Sequence, residues 1–189
     1  MAFSNNRISI ITNCSKKKLS GKAKAKDLYQ GQFFSLIKHI AEQNSMDLFI
    51  LSAKYGLISA EKEIESYDQR IKTKADVIRL RTLSNKLFNE ILQRYSKVLL
   101  IMGREYQSVL DEFQDTKIFR SSDNRGSGGY LQLASEISHL SRSDLIQFLH
   151  YLEKTNEFIS VISLASFFSH EKPEKRLIQS HIFPIKKIA

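Results

Sequence analysis

The sequence predicts an α/β protein: a mostly parallel sheet flanked by helices, with a C-terminal helical appendage. Three short apolar runs, typical of buried strands, lie at Ile8–Thr12, Leu48–Leu51 and Val98–Met102. Helix-like stretches separate these runs, and alternating strands and helices are characteristic of parallel sheets. We assign residues 1–129 to an α/β core domain. Residues 130–189 form the helical appendage, packed on the core and not clearly independent of it.

Each element between the strands has its own signal. Apolar residues recur at helical spacing over residues 28–41, and Asp27 is placed to cap that helix. A long amphipathic helix is predicted over about residues 74–95. Beyond the third strand, Glu105–Phe113 is expected to be helical and Lys117–Phe119 to form a short fourth strand.

The appendage has three apolar stretches. Leu131–Leu140 and Asp144–Leu152 indicate two helices, and either Ser141 or Ser143 is suited to cap the second. Phe158–Phe168 is long enough to favour a helix over a strand. We interpret it as a final core helix rather than a dimer surface, because globular helices normally bury an apolar face. The oligomeric state is left open.

Composition excludes several classes of protein. The chain has 189 residues, 42% of them hydrophobic, which is enough for a real core. No apolar run reaches the ~18 residues that span a bilayer, and the N-terminus lacks the pattern of a signal peptide. We therefore expect a cytoplasmic protein with no membrane partner. One Cys and five scattered His show no metal-ligand spacing, so we expect neither a metal nor a cofactor.

The charge balance favours a polyanionic partner. The formal net charge is +9, and such an excess is typical of proteins that bind nucleic acid or nucleotides. Six lysines are concentrated in one segment just after the first strand: Lys16, Lys17, Lys18, Lys22, Lys24 and Lys26. We expect a nucleic acid, DNA rather than RNA, or a nucleotide as the partner.

Polar and reactive residues follow each of the three main strands. Because the carboxyl ends of parallel strands meet at one edge of the sheet, we expect these loops to converge. Lysines beside a thiol favour its reactive form and attract anions. The candidate catalytic residues are Cys14, Lys54, Tyr55 and Asp68. The candidate substrate- and phosphate-binding residues are Ser15, Lys16, Lys17, Tyr29, Ser52, Gly56, Gly103, Arg104, Tyr106, Arg125, Gly126, Gly128 and Gly129.

The last four of these residues belong to a glycine-rich segment, Ser121–Gly129, that precedes a predicted helix. Glycine allows the backbone to approach a ligand closely, and free amides at a helix start bind anions. The segment does not match a Walker loop, which ends in Gly-Lys-Ser/Thr, and no convincing strand directly precedes it as a dinucleotide fingerprint requires.

Two further motifs carry a resemblance to known families. Leu51–Leu57, Leu-Ser-Ala-Lys-Tyr-Gly-Leu, followed by Tyr67-Asp68, resembles the YaaA superfamily of peroxide-stress proteins. Ser66 stands where that family usually has the proline of a Pro-Tyr element. With Cys14–Lys18 and Asp27–Tyr29 added, the chain more closely resembles an uncharacterised family of small bacterial and phage proteins. The resemblance covers about residues 7–110.

The resemblance implies DNA association and, in some relatives, chemistry on 7-deazaguanine bases. A core domain of archaeosine synthase is distantly similar and has a Cys followed by Lys. By that similarity Cys14 corresponds to the group placed near a nitrile-bearing base.

Two hypotheses follow. In the first, the protein is an enzyme that acts on a purine-like base: Cys14 is the nucleophile or a base contact, Lys16, Lys17 or Lys54 stabilises the intermediate, and Tyr29 or Tyr55 stacks or donates a hydrogen bond. Asp68 shuttles a proton, or leads an N-glycosidic cleavage that needs no cysteine. In the second, the protein is a non-catalytic DNA-binding protein of stress protection, whose binding is salt-sensitive.

Overall fold

A five-stranded sheet forms the centre of the molecule, which is described for residues 7–123 and 125–170 by a computed structural model. In chain order the strands are β1 (Ile8–Asn13), β2 (Lys22–Lys24), β3 (Asp47–Ser52), β4 (Gly56–Ser59), β5 (Glu63–Glu65), β6 (Lys97–Ile101) and β7 (Ile118–Arg120). The helices are α1 (Ala25–Leu28), α2 (Gln32–Gln43), α3 (Lys74–Arg94), α4 (Arg104–Gln107), α5 (Ser127–Ile137), α6 (Arg142–Thr155) and α7 (Val161–His170).

The strand order of the main sheet is β4-β3-β1-β6-β7. All neighbours are parallel except β4, which pairs antiparallel with β3 at one edge. In the centre, Ile10 of β1 lies opposite Leu48 of β3 and Leu99 of β6. The strands are apolar on both sides because helices cover both faces of the sheet. The predicted α/β class, with a mostly parallel sheet, is confirmed.

Two apolar cores lie on opposite faces of this sheet. One contains Ile10 of β1 together with buried residues of α2, α5, α6 and α7. The other contains Ile11 of β1 and the buried side of α3, including Phe88. The C-terminal helices therefore share a core with the sheet, and α5 runs across position 129. The remainder of the C-terminal segment, from residue 171, lies outside the described residues. No helix in the described part of the chain is long and apolar enough to cross a membrane.

The helix expected after Asp27 begins later than predicted. Asp27 lies inside the one-turn α1 and pairs with Lys38 at 2.9 Å, and the N-cap of α2 is Gly31. The chain is extended between the two helices because Tyr29 forms a β-bridge with Lys18. Hydrophobic spacing continued across this break, so the sequence did not reveal it.

The helix predicted over Glu105–Phe113 is also shorter in the structure. Helical backbone ends with α4, and several of the following carbonyl groups accept hydrogen bonds from side chains. Arg81 donates to the carbonyls of Ser108 and Val109, and Arg120 donates to those of Leu110 and Phe113. Two arginines distant in sequence therefore replace the regular helix.

The segment Ser52–Leu57 forms a tight turn between β3, which was predicted, and β4, which was not. Gly56 has φ +71, a conformation that favours glycine, and its Cα faces Leu83 and Ser84 of α3 too closely for a side chain. By contrast, the predicted cap of α6 is confirmed, since the Ser141 hydroxyl accepts from the Asp144 amide at 3.2 Å.

Candidate functional site

A cavity of about 510 Å³ opens at the carboxyl ends of β1 and β6. These neighbouring strands lead in opposite directions, β1 towards β3 and β6 towards β7, so their ends form the topological switch point where open α/β sheets bind ligands. We call it the β1–β6 cavity, and its volume lies in the range of small-molecule sites. Its lining consists of Asn13, Phe33, Gly103, Arg104, Glu105, Tyr106, Asp123, Gly126, Ser127 and Tyr130.

Three aromatic side chains form much of the apolar wall: Phe33 from α2, Tyr106 from α4 and Tyr130 from α5. Tyr130 is only 6% exposed, and its hydroxyl has no hydrogen-bond partner among the residues that the structure describes. A buried polar group without a partner is costly. The Tyr130 hydroxyl therefore retains unused hydrogen-bonding capacity beside this cavity.

The start of α5 faces the same cavity. Gly126 precedes the helix with φ +69, and Gly126 and Ser127 line the cavity. The first amides of an 11-residue helix have no helical acceptors and carry partial positive charge, which suits an anion. Arg104, also on the lining, adds a full positive charge.

An ion pair fixes the backbone before α5. Asp123 accepts hydrogen bonds from the Arg125 amide at 2.7 Å and from its guanidinium at 2.6 and 3.2 Å. These bonds hold the pKa of the Asp123 carboxyl below its ordinary value. Gly129 packs so closely on this carboxylate that a Cβ there would overlap it. Gly129 and Arg125 therefore shape the loop from outside the cavity.

Asn13 ties the two strand ends together. Its side-chain oxygen accepts from the Gly103 amide at 3.2 Å, and its side-chain nitrogen donates to the Cys14 carbonyl at 3.0 Å. The Asn13 side chain therefore connects the end of β1 with the loop that follows β6.

A buried group of hydroxyls and one thiol adjoins the cavity; we call Cys14, Tyr29, Ser52, Tyr67 and Tyr106 the hydroxyl cluster. The Cys14 sulfur lies 3.2 Å from the Tyr106 hydroxyl. The Tyr67 hydroxyl lies 2.9 Å from that of Tyr29 and 2.7 Å from that of Ser52. Tyr106 belongs to both sites, because its ring lines the β1–β6 cavity and its hydroxyl contacts the thiol.

The cluster keeps its phenols protonated. Burial raises the pKa of Tyr29 to about 12 and raises the pKa values of Tyr67 and Tyr106 far above the ordinary value. Lys18 Nζ lies 4.4 Å from the centre of the Tyr67 ring, and Lys54 Nζ lies 5.0 Å from that of Tyr55. Because their pKa values are raised, Tyr29, Tyr67 and Tyr106 keep their hydroxyl protons at neutral pH and can donate as well as accept hydrogen bonds.

Several predicted site residues are brought together. Cys14, Tyr29, Ser52 and Tyr106 meet in the hydroxyl cluster, and Tyr55 packs against Tyr67 with ring centres 5.5 Å apart. Gly103, Arg104, Tyr106 and Gly126 line the β1–β6 cavity. Cys14 is 7% exposed and is not on that lining, so Tyr106 stands between the thiol and the cavity.

Other predicted residues lie elsewhere. Asp68 is exposed and lines a separate cavity of about 440 Å³ with Lys72 and Asp76. Lys16 and Lys17 are exposed on the surface. The remaining residues shape backbone: the Ser15 hydroxyl bonds the Lys17 carbonyl and the Gly31 amide, Gly56 turns the hairpin, and Gly128 is exposed on α5.

Seven residues of these two sites were not selected from the sequence: Asn13, Phe33, Tyr67, Glu105, Asp123, Ser127 and Tyr130. Asn13 had a usable signal, since it occupies the last position of β1 immediately before Cys14. Tyr67 lay next to a selected residue, Asp68, and the alternation of sides along an extended segment indicates that only one of the two turns inward. Glu105 and Ser127 lie next to selected residues, whereas Phe33, Asp123 and Tyr130 showed no signal beyond ordinary core or loop composition.

The fold and the site define an α/β protein with helices on both faces of its sheet and a ligand-sized cavity at the switch point. The chain belongs to a family described as a family of unknown function, DUF6884, whose model matches residues 9–124, more than half of its length. The matched part contains the whole hydroxyl cluster and ends just before α5. No curated protein and no solved structure gives a significant match. The resemblance to the YaaA superfamily stays a prediction.

Proposed function

We propose that the protein is an enzyme that acts on a purine-like base, in a nucleotide or a nucleic acid, bound in the β1–β6 cavity. One observation carries the proposal: a switch-point cavity is lined by aromatic residues, among them Tyr130 with its unpartnered buried hydroxyl, and also by the start of α5. A nucleotide combines the two parts that such a site suits, a flat base with polar edges and an anionic phosphate.

In this proposal the aromatic wall holds the base and the helix start holds the phosphate. Phe33 and Tyr106 supply the apolar contact, and the Tyr130 hydroxyl bonds a polar edge of the base. The amides at the start of α5 and the Arg104 guanidinium receive the phosphate.

The reactive groups adjoin the base site. Cys14 is the proposed nucleophile, as the sequence predicts, and reaches a base in the cavity when the Tyr106 ring moves aside. The protonated Tyr106 hydroxyl, 3.2 Å from the thiol, is placed to exchange a hydrogen bond with it. For the alternative N-glycosidic cleavage, Glu105 replaces Asp68 as the candidate carboxylate, because Glu105 lines the cavity and Asp68 lies in a different one.

Binding is the first test. We expect dGMP or dAMP to bind more tightly than dTMP in isothermal titration calorimetry with the full chain. Tyr130→Phe, which removes only the hydroxyl, should weaken purine binding by about two- to tenfold, the range for one hydrogen bond. Tyr151→Phe, on α6 where the ring packs against Phe167, is the matched control and should bind like the native protein. Equal affinities for all three nucleotides, or an unaffected Tyr130→Phe variant, would contradict the base site.

Turnover is the second measurement of the same proposal. With a base-modified product followed by mass spectrometry, Cys14→Ala and Lys54→Ala are compared with native protein while nucleotide affinity is measured in parallel. The thiol mechanism requires lost turnover with retained binding in Cys14→Ala. Full activity of both variants eliminates that mechanism.

Non-catalytic nucleic-acid binding is the second candidate function. Exposed Lys16 and Lys17 favour it, because they lie beside the carboxyl end of β1 and face solvent. Such a protein binds phosphates without reading the base, so its affinity would not change in Tyr130→Phe.

A further inference from the structure

A second cavity of about 670 Å³ lies beside the β1–β6 cavity, and the two share Asp123 on their linings. We call it the flanking cavity. Arg125 and the segment that leads into α7, residues 156–163, supply most of its lining. A single nucleotide held in the β1–β6 cavity leaves the flanking cavity open to a second group.

Two large apolar side chains of the flanking cavity are exposed. Phe158 is 57% exposed and Ile162 is 79% exposed, and Phe158 is the one aromatic residue among the large exposed apolar side chains in the described part of the chain. Single exposed apolar residues are ordinary, but an exposed aromatic and an aliphatic side chain on the lining of one cavity mark a contact surface.

The backbone under Phe158 is fixed. The neighbouring Ile159 donates its amide to the Arg120 carbonyl and accepts from the Ser122 amide, both at 2.9 Å, so this segment is attached to the edge of the main sheet. The Ser163 hydroxyl donates to the Phe158 carbonyl at 2.9 Å. Phe158 is therefore presented to solvent on a rigid support, which lowers the entropy cost of stacking against it.

The charges of the flanking cavity suit a neutral group. Its lining carries two carboxylates, Asp123 and Glu157, and the Arg125 guanidinium, which already pairs with Asp123. A phosphate would find no excess of positive charge here. A nucleobase, which is flat and uncharged, matches an exposed aromatic ring with few charges around it.

We propose that the flanking cavity is a subsite for the next nucleotide of a single-stranded nucleic acid, whose base stacks on Phe158 while a purine occupies the β1–β6 cavity. This inference rests on the proposed function. The two cavities meet at the start of α5, because Arg125 lines the flanking cavity and the next two residues, Gly126 and Ser127, line the β1–β6 cavity. The phosphate that links the two nucleotides then lies against the helix start, and the substrate is a strand rather than a free nucleotide.

The experiment compares dGMP with the single-stranded deoxytrinucleotide TGT by calorimetry on the full chain. We expect the trinucleotide to bind about tenfold more tightly, as one stacked base provides. Phe158→Ala should remove this gain and leave dGMP affinity unchanged, whereas Phe158→Tyr should retain it. Ile78→Ala, an exposed apolar side chain on α3, is the matched control and should change neither affinity.

The outcomes separate the two proposals. If dGMP binds but the trinucleotide binds no more tightly, or if the gain persists in Phe158→Ala, the subsite is overturned and the base site stands. If neither dGMP nor the trinucleotide binds, the proposed function fails and the subsite fails with it. Because Phe158 is exposed, its variants are expected to fold, and circular dichroism verifies this.

Discussion

Tyr29, Tyr67 and Tyr106 retain their hydroxyl protons because burial disfavours the phenolate. This has a measurable consequence at high pH. In the unfolded chain these tyrosines ionise near pH 10, but in the folded protein they resist ionisation, Tyr29 up to about pH 12. The stability that they contribute is complete below pH 10 and is lost as pH rises towards the folded pKa values.

We therefore expect unfolding free energy, measured by urea denaturation, to fall steeply above pH 10, by about 1.4 kcal/mol per pH unit for each buried tyrosine. Tyrosinate absorbance should rise together with the loss of the circular dichroism signal. Tyr67→Phe removes one of the groups and should make the fall less steep. If all seven tyrosines titrate near pH 10 while the fold persists, the hydroxyl cluster is more open to water than its burial indicates.

Single residues also show what the sequence reveals about a site. Cys14 and Tyr106 could be selected because each follows an apolar strand, and strand ends are where α/β sheets place reactive groups. Phe33 and Tyr130 could not, because an aromatic residue on an amphipathic helix has the same pattern whether it fills a core or lines a cavity. Only the packing of α2 and α5 around the switch point distinguishes the two.

Among the elements, α5 depends on two adjacent glycines with different surroundings. A side chain at Gly128 would meet nothing within 4 Å, whereas a Cβ at Gly129 would overlap the Asp123 carboxylate. We expect Gly128→Ala to stabilise the protein by about 0.5–1 kcal/mol, the helix preference for Ala over Gly. Gly129→Ala should destabilise it, because Asp123 must leave Arg125.

Thermal unfolding of the two variants gives the comparison directly, since they make the same chemical change at neighbouring positions. A rise in Tm for Gly128→Ala and a drop for Gly129→Ala is the expected pair of results. Gly129→Ala should also weaken purine binding, because the loop before α5 shapes the β1–β6 cavity. Equal Tm values for both variants would show that the Asp123 side chain can move away from position 129 without a loss of stability.

The elements also differ in how far the sequence predicts them. β1, β3 and β6 are short apolar runs covered on both faces, so hydrophobicity identifies them. β2 and β5 have the sequences Lys-Ala-Lys and Glu-Ile-Glu, and only Ile64 of β5 packs fully into the core beneath them. The two strands are joined by antiparallel backbone pairing, with one exposed ion pair, Lys22–Glu63, across them, and no pattern along either strand alone shows this pairing.

For the whole molecule, the net charge of +9 suggests a strongly basic surface. The lysine-rich segment nevertheless carries less unpaired positive charge than its six lysines indicate. Three of its six lysines are paired: Lys22 with Glu63 at 3.0 Å, and Lys24 and Lys26 with Glu61 at 2.9 and 2.5 Å. Exposed ion pairs add little stability, but they cancel charge locally. The segment that seemed from sequence a uniform basic surface is therefore a neutralised two-stranded sheet beside two exposed lysines, Lys16 and Lys17.

For the proposed nucleic-acid partner, this distribution predicts which lysines contact the backbone. For a single-stranded oligonucleotide, the slope of log affinity against log salt should fall by about 0.7 for each phosphate contact removed. The double variant Lys16→Ala, Lys17→Ala should therefore reduce the slope by about 1.4. Lys22→Ala, Lys24→Ala removes the same formal charge from paired positions and should change the slope less. Glu61→Gln, which frees Lys24 and Lys26 from their partner, should increase affinity at low salt. Equal slopes for the two double variants would mean that total charge, and not the arrangement of ion pairs, determines the salt dependence of oligonucleotide binding.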